Sequence, residues 1–292
     1  MDTGPANLAA LVTGNLDRAL SSDVRAIADH VRRQHERAAA VLAYGSCLRG
    51  VSTADTLIDL YVLVEHERDI SDNPLSRFAA RLVPPNVYYS EMNDAGRILR
   101  CKYAVVTLEA FAERMKPATR NPYFWARFAQ PAALAYASND QNRARVAAAI
   151  AEAVTTMYRA ALASMPAGSD PLDIWQRGFA ETYRTELRPE AGHRAGEIVA
   201  ANEAFYTAAA NFIGRPEASR VSWPQRRFIG KLLSFARLLK AAFTFEGGAS
   251  YAAWKIERHS GEKIVLTAWQ QRHPVLAGLM LLPRLLRRGA IK

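Results

Sequence analysis

A chain of 292 residues, half of them apolar and 23% charged, can bury a sizeable core and has ordinary globular composition, which excludes a disordered or fibrous protein. Its two cysteines, Cys47 and Cys101, exclude a disulfide scaffold and lack the spacing of a zinc site, so they read as reduced thiols of a cytosolic-type compartment. The formal charge of +10 is unevenly placed: residues 214–292 carry 15 Lys or Arg against four acids, whereas residues 1–213 carry 23 against 24. Such localised charge implies an anionic partner, either nucleic acid or acidic lipid head groups.

The first twenty residues have an acid at Asp2 and no basic region before an apolar core, so no signal peptide is expected. No apolar run reaches the roughly 18–20 residues that span a bilayer. Spaced apolar residues predict an amphipathic helix over 16–38, followed by strands over 39–44 and 57–64. Residues 66–82 read as a loop and short helix broken at Asn73-Pro74. A short strand over 86–89 and a longer one over 98–107 flank Asp94-Ala95-Gly96, which has hairpin-turn chemistry. A helix over 108–116, a Pro-bounded aromatic segment over 123–128 and a strand over 132–136 complete the first half. From Gln141 the strand signal nearly vanishes, and helical patterns cover 141–164, 171–187, 195–213, 222–246 and 249–258. The expected organisation is an α/β unit over 1–138, with a mixed sheet and flanking helices, then a mostly helical unit over 139–246. A basic amphipathic segment over 247–292 follows.

One stretch carries the chemistry. A hydrophobic run ends in Tyr44-Gly45-Ser46, passes Arg49-Gly50, and returns as an apolar strand holding a single acid, Asp59. A glycine at such a corner lets backbone amides approach phosphate oxygens, and Ser46 adds a hydroxyl. A carboxylate flanked by Leu60, Val62 and Val64 is costly unless it is paired or bound to a cation. Each piece alone is an ordinary turn or strand residue. Together they are the parts of a nucleotidyltransferase: a turn for triphosphate and a neighbouring acid for its metal.

The chain resembles the mitochondrial translocator-maintenance type of phosphatidate cytidylyltransferase, a branch of the polymerase-β-like nucleotidyltransferase superfamily. The resemblance rests on Tyr44-Gly45-Ser46, Leu57-Ile58-Asp59-Leu60, Val87-Tyr88-Tyr89, and Gly96-Arg97 followed by Lys102-Tyr103-Ala104-Val105-Val106. It extends through the aromatic segment from Tyr123 to Phe128 and Gln130-Pro131, in order over roughly residues 38–190. It implies a nucleotidyltransferase-like domain followed by a helical one. It also implies magnesium-dependent transfer of CMP from CTP to phosphatidic acid, giving CDP-diacylglycerol and pyrophosphate, with membrane association through the C-terminal region. The Asp-x-Asp pair of the wider superfamily has Leu57 at its first position here, a departure shared with the family named.

On this reading Asp59 is the first-choice metal ligand and Asp55 a second, while Tyr44, Gly45, Ser46 and Arg49 hold the nucleotide. Ser46 and Lys102 join Asp59 as catalytic candidates, Lys102 offsetting phosphate charge. Glu91, a third carboxylate from the adjacent strand, and Arg97 are further candidates, and Arg49, Asp55, Lys102 and Arg97 each have a solvent-facing alternative. The aromatic segment either stacks on cytosine or packs in the core, and Trp175, Phe179 and Tyr183 read as core. Near the C-terminus Lys231, Arg237 and Lys240 interleave with leucines. The closing stretch ends an apolar body with Arg284, Arg287 and Arg288, suited to an anionic lipid interface at the cytoplasmic face of a membrane. The alternative is a helix docked on the protein with its basic face in water. Two rival functions stand beside the first: a catalytically inactive nucleic-acid-binding protein, and a transferase modifying RNA or protein.

Overall fold

A computed structural model describes residues 4–48, 57–186, 193–213, 222–244, 267, 269 and 270. Two helices open the chain, α1 (Gly4–Leu16) and α2 (Ser22–Gln34). The sequence pattern predicted one helix over 16–38. The chain instead breaks after Leu16, because the Ser21 hydroxyl accepts from Val24 N–H and caps a new helix. Val24, Ile27, Ala28 and Val31, at spacings of three and four, then bury one face of α2.

Strand β1 (Ala38–Tyr44) runs into a tight turn over 45–48, and β2 (Ile58–Val64) returns antiparallel beside it. After the short helix α3 (Pro74–Leu82), capped by Asn73, come β3 (Asn86–Asp94) and β4 (Arg97–Thr107). The hairpin between β3 and β4 turns on Ala95 and Gly96, both at positive φ (48° and 85°), as a two-residue primed turn requires. Strand β3 extends five residues past the predicted 86–89. Its outer half alternates polar residues such as Glu91 and Asn93, whose pairing with β4 no apolar pattern announces. Helices α4 (Leu108–Glu113) and α5 (Trp125–Phe128) precede the last strand, β5 (Ala132–Ala137).

The five strands form one mixed sheet in the order β3-β4-β2-β1-β5, with β2 and β4 parallel and the other pairs antiparallel. Every described element after β5 is a helix: α6 (Asp140–Leu162), α7 (Pro171–Tyr183), α8 (His193–Ala200), α9 (Glu203–Ile213) and α10 (Trp223–Thr244). The predicted helix over 195–213 is thus two, and the one predicted over 249–258 lies outside the described residues.

Helix α2 packs on one face of the sheet, against Val41, Leu60, Val62 and Val105. The other face, with Leu42, Tyr61 and Val106, joins α1 and helices α4 to α9 in one continuous hydrophobic cluster. Helix α7 crosses α6 closely at Gly178, where a Cβ would sit 3.1 Å from that of Ala161. Strand β2 lies at the centre of the sheet, and all its residues are fully buried except Asp59. Among the described residues no helix is long and apolar enough to cross a membrane.

Candidate functional site

The sheet register gathers the site. Tyr44 on β1 pairs with Asp59 on β2, Asp59 pairs with Lys102 on β4, and Lys102 pairs with Tyr89 on β3. Residues directly opposite one another point to the same face, so these four side chains form a row across the sheet. The row lies on the face that carries the helical layer.

Gly45 turns the chain at the end of β1 with φ +83°, a left-handed conformation that a side chain disfavours. A Cβ built there would lie 3.7 Å from Asp59 Oδ2, an ordinary contact. Backbone conformation therefore calls for the glycine, and the corner rests directly beside the carboxylate. Ser46 follows in the same turn, and the Cys47 thiol donates to Tyr44 O at 3.3 Å, closing it.

Tyr44, Gly45, Ser46, Asp59 and Lys102 line a single cleft of about 150 Å³ between the sheet and the end of α7. The facing wall is Thr182, Tyr183 and Glu186 with Arg194 and Ile198 of α8; α5 and its approach contribute Tyr123, Arg127 and Gln130. Below the cleft the Tyr44 ring packs against Tyr61 and Phe128, with centroids 5.5 and 5.7 Å away. Phe124, Trp125 and Phe128 are buried, so this part of the aromatic segment is core.

The sequence pattern offered the segment from Tyr123 to Phe128 only as a cytosine stack or as core, and it gave no role to Arg127, Glu186 or Arg194, which also line the cleft. Arg127 donates to Glu186 at 3.0 Å and to Tyr123 O at 2.6 Å. Its guanidinium lies 3.6 Å from the Tyr123 ring centroid, and that of Arg237 on α10 lies 3.7 Å away. The ring is thus held between two cations. Burial alone would raise the Tyr123 phenol, but the charges of Arg127, Arg237 and Lys102 outweigh it and pull the phenol below its ordinary value. A positively charged residue inside the run Phe124-Trp125-Ala126-Arg127-Phe128 was the available signal. Its partner Glu186, 59 positions away, was not legible.

The other candidates fall elsewhere. Arg97 sits at the hairpin tip and forms a two-pronged pair with Asp23 of α2, at 2.9 and 3.3 Å. It does not line the cleft. Glu91 accepts from the Tyr89 hydroxyl at 3.1 Å and pairs with Arg100 at 3.5 Å, so its carboxylate serves the β3–β4 edge. Tyr89 and Glu91 do not line the cleft either. Arg49, Asp55, Arg284, Arg287 and Arg288 lie outside the described residues.

The charged lining is Lys102, Arg127 and Arg194 against Asp59 and Glu186, and with Arg127 and Glu186 paired to each other the cleft keeps a small net positive charge. Among the described residues no group of three His, Cys, Asp or Glu is placed to hold a metal ion. With Glu186 engaged by Arg127, Asp59 beside the Gly45 turn is the carboxylate that could hold a magnesium ion, which uses one or two carboxylates and leaves other positions to phosphate and water. No protein-family model matches the chain, and no characterised protein is significantly similar to it.

Proposed function

We propose that this protein is a metal-dependent nucleotidyltransferase of the phosphatidate cytidylyltransferase kind, moving CMP from CTP to phosphatidic acid with release of pyrophosphate at a membrane surface. The observation that carries the reading is the closeness of corner and acid: Asp59 Oδ2 lies 3.7 Å from where a Gly45 side chain would begin, and both open with Lys102 onto one cleft. The choice of CTP and of phosphatidic acid follows the sequence resemblance.

In this reading the amides of the Gly45–Ser46 turn and the Ser46 hydroxyl hold the β- and γ-phosphates. Asp59, with Asp55 as second candidate, would hold magnesium, whose contribution is to neutralise charge developing on the triphosphate. Lys102, one strand over, lowers the repulsion between nucleotide and an incoming phosphate. A phosphate oxygen of the acceptor attacks the α-phosphorus, and the bond to the bridging oxygen breaks in line, so pyrophosphate leaves with the electron pair. Arg194 and the Arg127–Tyr123 wall stand on the opposite side, where the acceptor's charge is met. The basic C-terminal stretch with Arg284, Arg287 and Arg288 holds the protein to anionic lipid.

The test is incubation with α-labelled CTP, magnesium and phosphatidic acid vesicles. Label appearing in a lipid-extractable product supports the reading, and its absence with every divalent cation tried refutes it. Label appearing instead on RNA or on protein would move the same site to the transferase alternative.

A further inference from the structure

Helix α10 is turned inside out relative to an ordinary surface helix. All its cations except Lys231 face the protein. Arg226 is 1% exposed and donates to Thr119 O and to Pro117 O. Arg237 lies over Tyr123, and the Lys240 ammonium donates to Val83 O, Pro85 O and Asn86 Oδ1. Arg227 reaches the fully buried Glu181 carboxylate. The solvent-side positions, at spacings of four and three, are Phe228, Leu232 and Phe235, exposed by 73, 58 and 62%. Helix α3 repeats the pattern with Leu75, Phe78 and Leu82, exposed by 69, 59 and 62%. The end of α3 meets α10 where Leu82 and the half-buried Leu233 line one crevice.

Scattered exposed apolar residues are normal on a protein surface, but two adjoining stripes of six large ones are not. We infer that the outer faces of α3 and α10 form a docking surface for an anionic lipid bilayer. Charge complementarity argues for lipid. Exposed Lys231 and Arg81, the latter in a solvent-exposed pair with Glu67 at 3.9 Å, border the stripes, and the sequence beyond Thr244 continues with eight Lys or Arg against three acids, among further leucines. Large apolar side chains rimmed by cations match the head-group boundary of such a membrane. The helix is also fastened from within by Arg226, Arg227 and Lys240, so its apolar side can enter lipid without the helix leaving the protein. The inference deepens the membrane part of the proposed function and rests on that part alone, independent of nucleotidyl transfer.

The experiment is flotation of the full chain with vesicles of phosphatidylcholine alone, or with 30% phosphatidic acid or phosphatidylserine as probe compositions (about a third anionic, enough for a strong surface potential). It compares the native chain with the variant Phe228→Ser, Leu232→Ser, Phe235→Ser, and with Arg284→Glu, Arg287→Glu, Arg288→Glu. Native protein is expected to float with both anionic compositions, and the triple-serine variant to lose at least about tenfold in bound fraction while keeping its circular dichroism. Undiminished flotation of the triple-serine variant overturns the proposal, and if the glutamate variant alone fails, attachment belongs to the C-terminal stretch. A native chain that ignores vesicles but sediments as a dimer, made monomeric by the serine substitutions, assigns the face to a second copy and also overturns it. Retained CTP transfer to a detergent-dispersed acceptor by a non-floating variant separates this outcome from a failure of the catalytic reading.

Discussion

Asp59 and Gly45 are the residues on which the catalytic reading turns, and they make different demands. Asp59 stands in a strand whose other residues are fully buried, and its partial exposure to the cleft lowers the cost of an acid there. Asp59→Asn keeps the size and hydrogen-bonding capacity but removes the charge a metal needs. The expected outcome is a fall in transfer rate of roughly 10²-fold or more with little change in thermal midpoint, read from initial rates and calorimetry on the same sample. Gly45→Ala meets no clash but forces a methyl group into a left-handed conformation, at a cost of about 1–2 kcal/mol. It should weaken CTP binding and lower stability together, checked by titration and urea unfolding. That corner was legible in the sequence, since a glycine after an apolar run and a single acid in the next one are local signals. The Arg127–Glu186 pair across the cleft was not, because nothing local connects positions so far apart.

At the scale of elements, the strands and the β3–β4 hairpin follow from apolar runs and from turn residues that accept positive φ. What the pattern concealed was which side of α10 faces inward. Lys231, Arg237 and Lys240 interleaved with leucine read as a basic surface, yet the helix buries or half-buries most of its cations because backbone carbonyls and Glu181 await them. Fit there is close: a Cβ on Gly230 would lie 2.7 Å from Thr185 O at the end of α7. Gly230→Ala should therefore destabilise the protein, by about 1–3 kcal/mol in urea unfolding, although alanine is the better helix former. Glu181 takes Arg177, Arg184 and Arg227 at 3.0, 2.9 and 2.6 Å. Glu181→Ala leaves three cations without their shared partner, and, the arginines being partly solvated, a loss of roughly 3 kcal/mol is expected.

Lys240 gives α10 a pH signature. Burial first, and Arg237 second, lower its ammonium to about 8 from an unfolded value of 10.5. Between those values the unfolded chain binds the extra proton, so this residue's contribution to stability rises as pH increases from about 8 to about 10.5. The difference in unfolding free energy between the native chain and Lys240→Met should widen in favour of the native chain over that window. A difference that narrows on the alkaline side would mean that the three oxygen acceptors hold the ammonium charged instead.

For the whole molecule, the proposed function requires two properties to coincide: a cleft that takes a triphosphate on one side of the sheet, and a cationic, apolar exterior that meets a membrane. The cleft lies where the central strand β2 meets the helical layer, so the fold itself brings Asp59, the Gly45 corner and the α7 wall together. The uneven charge pointed to an anionic partner, but not to the fact that part of that charge is spent inside the protein. The measurement closest to the central claim is calorimetric titration of CTP into the native chain and into Asp59→Asn, each with and without magnesium. The expected result is native binding strengthened at least tenfold by magnesium, with that gain absent from Asp59→Asn. CTP binding that is equally strong in both chains and indifferent to magnesium would contradict a corner and an acid that share one triphosphate.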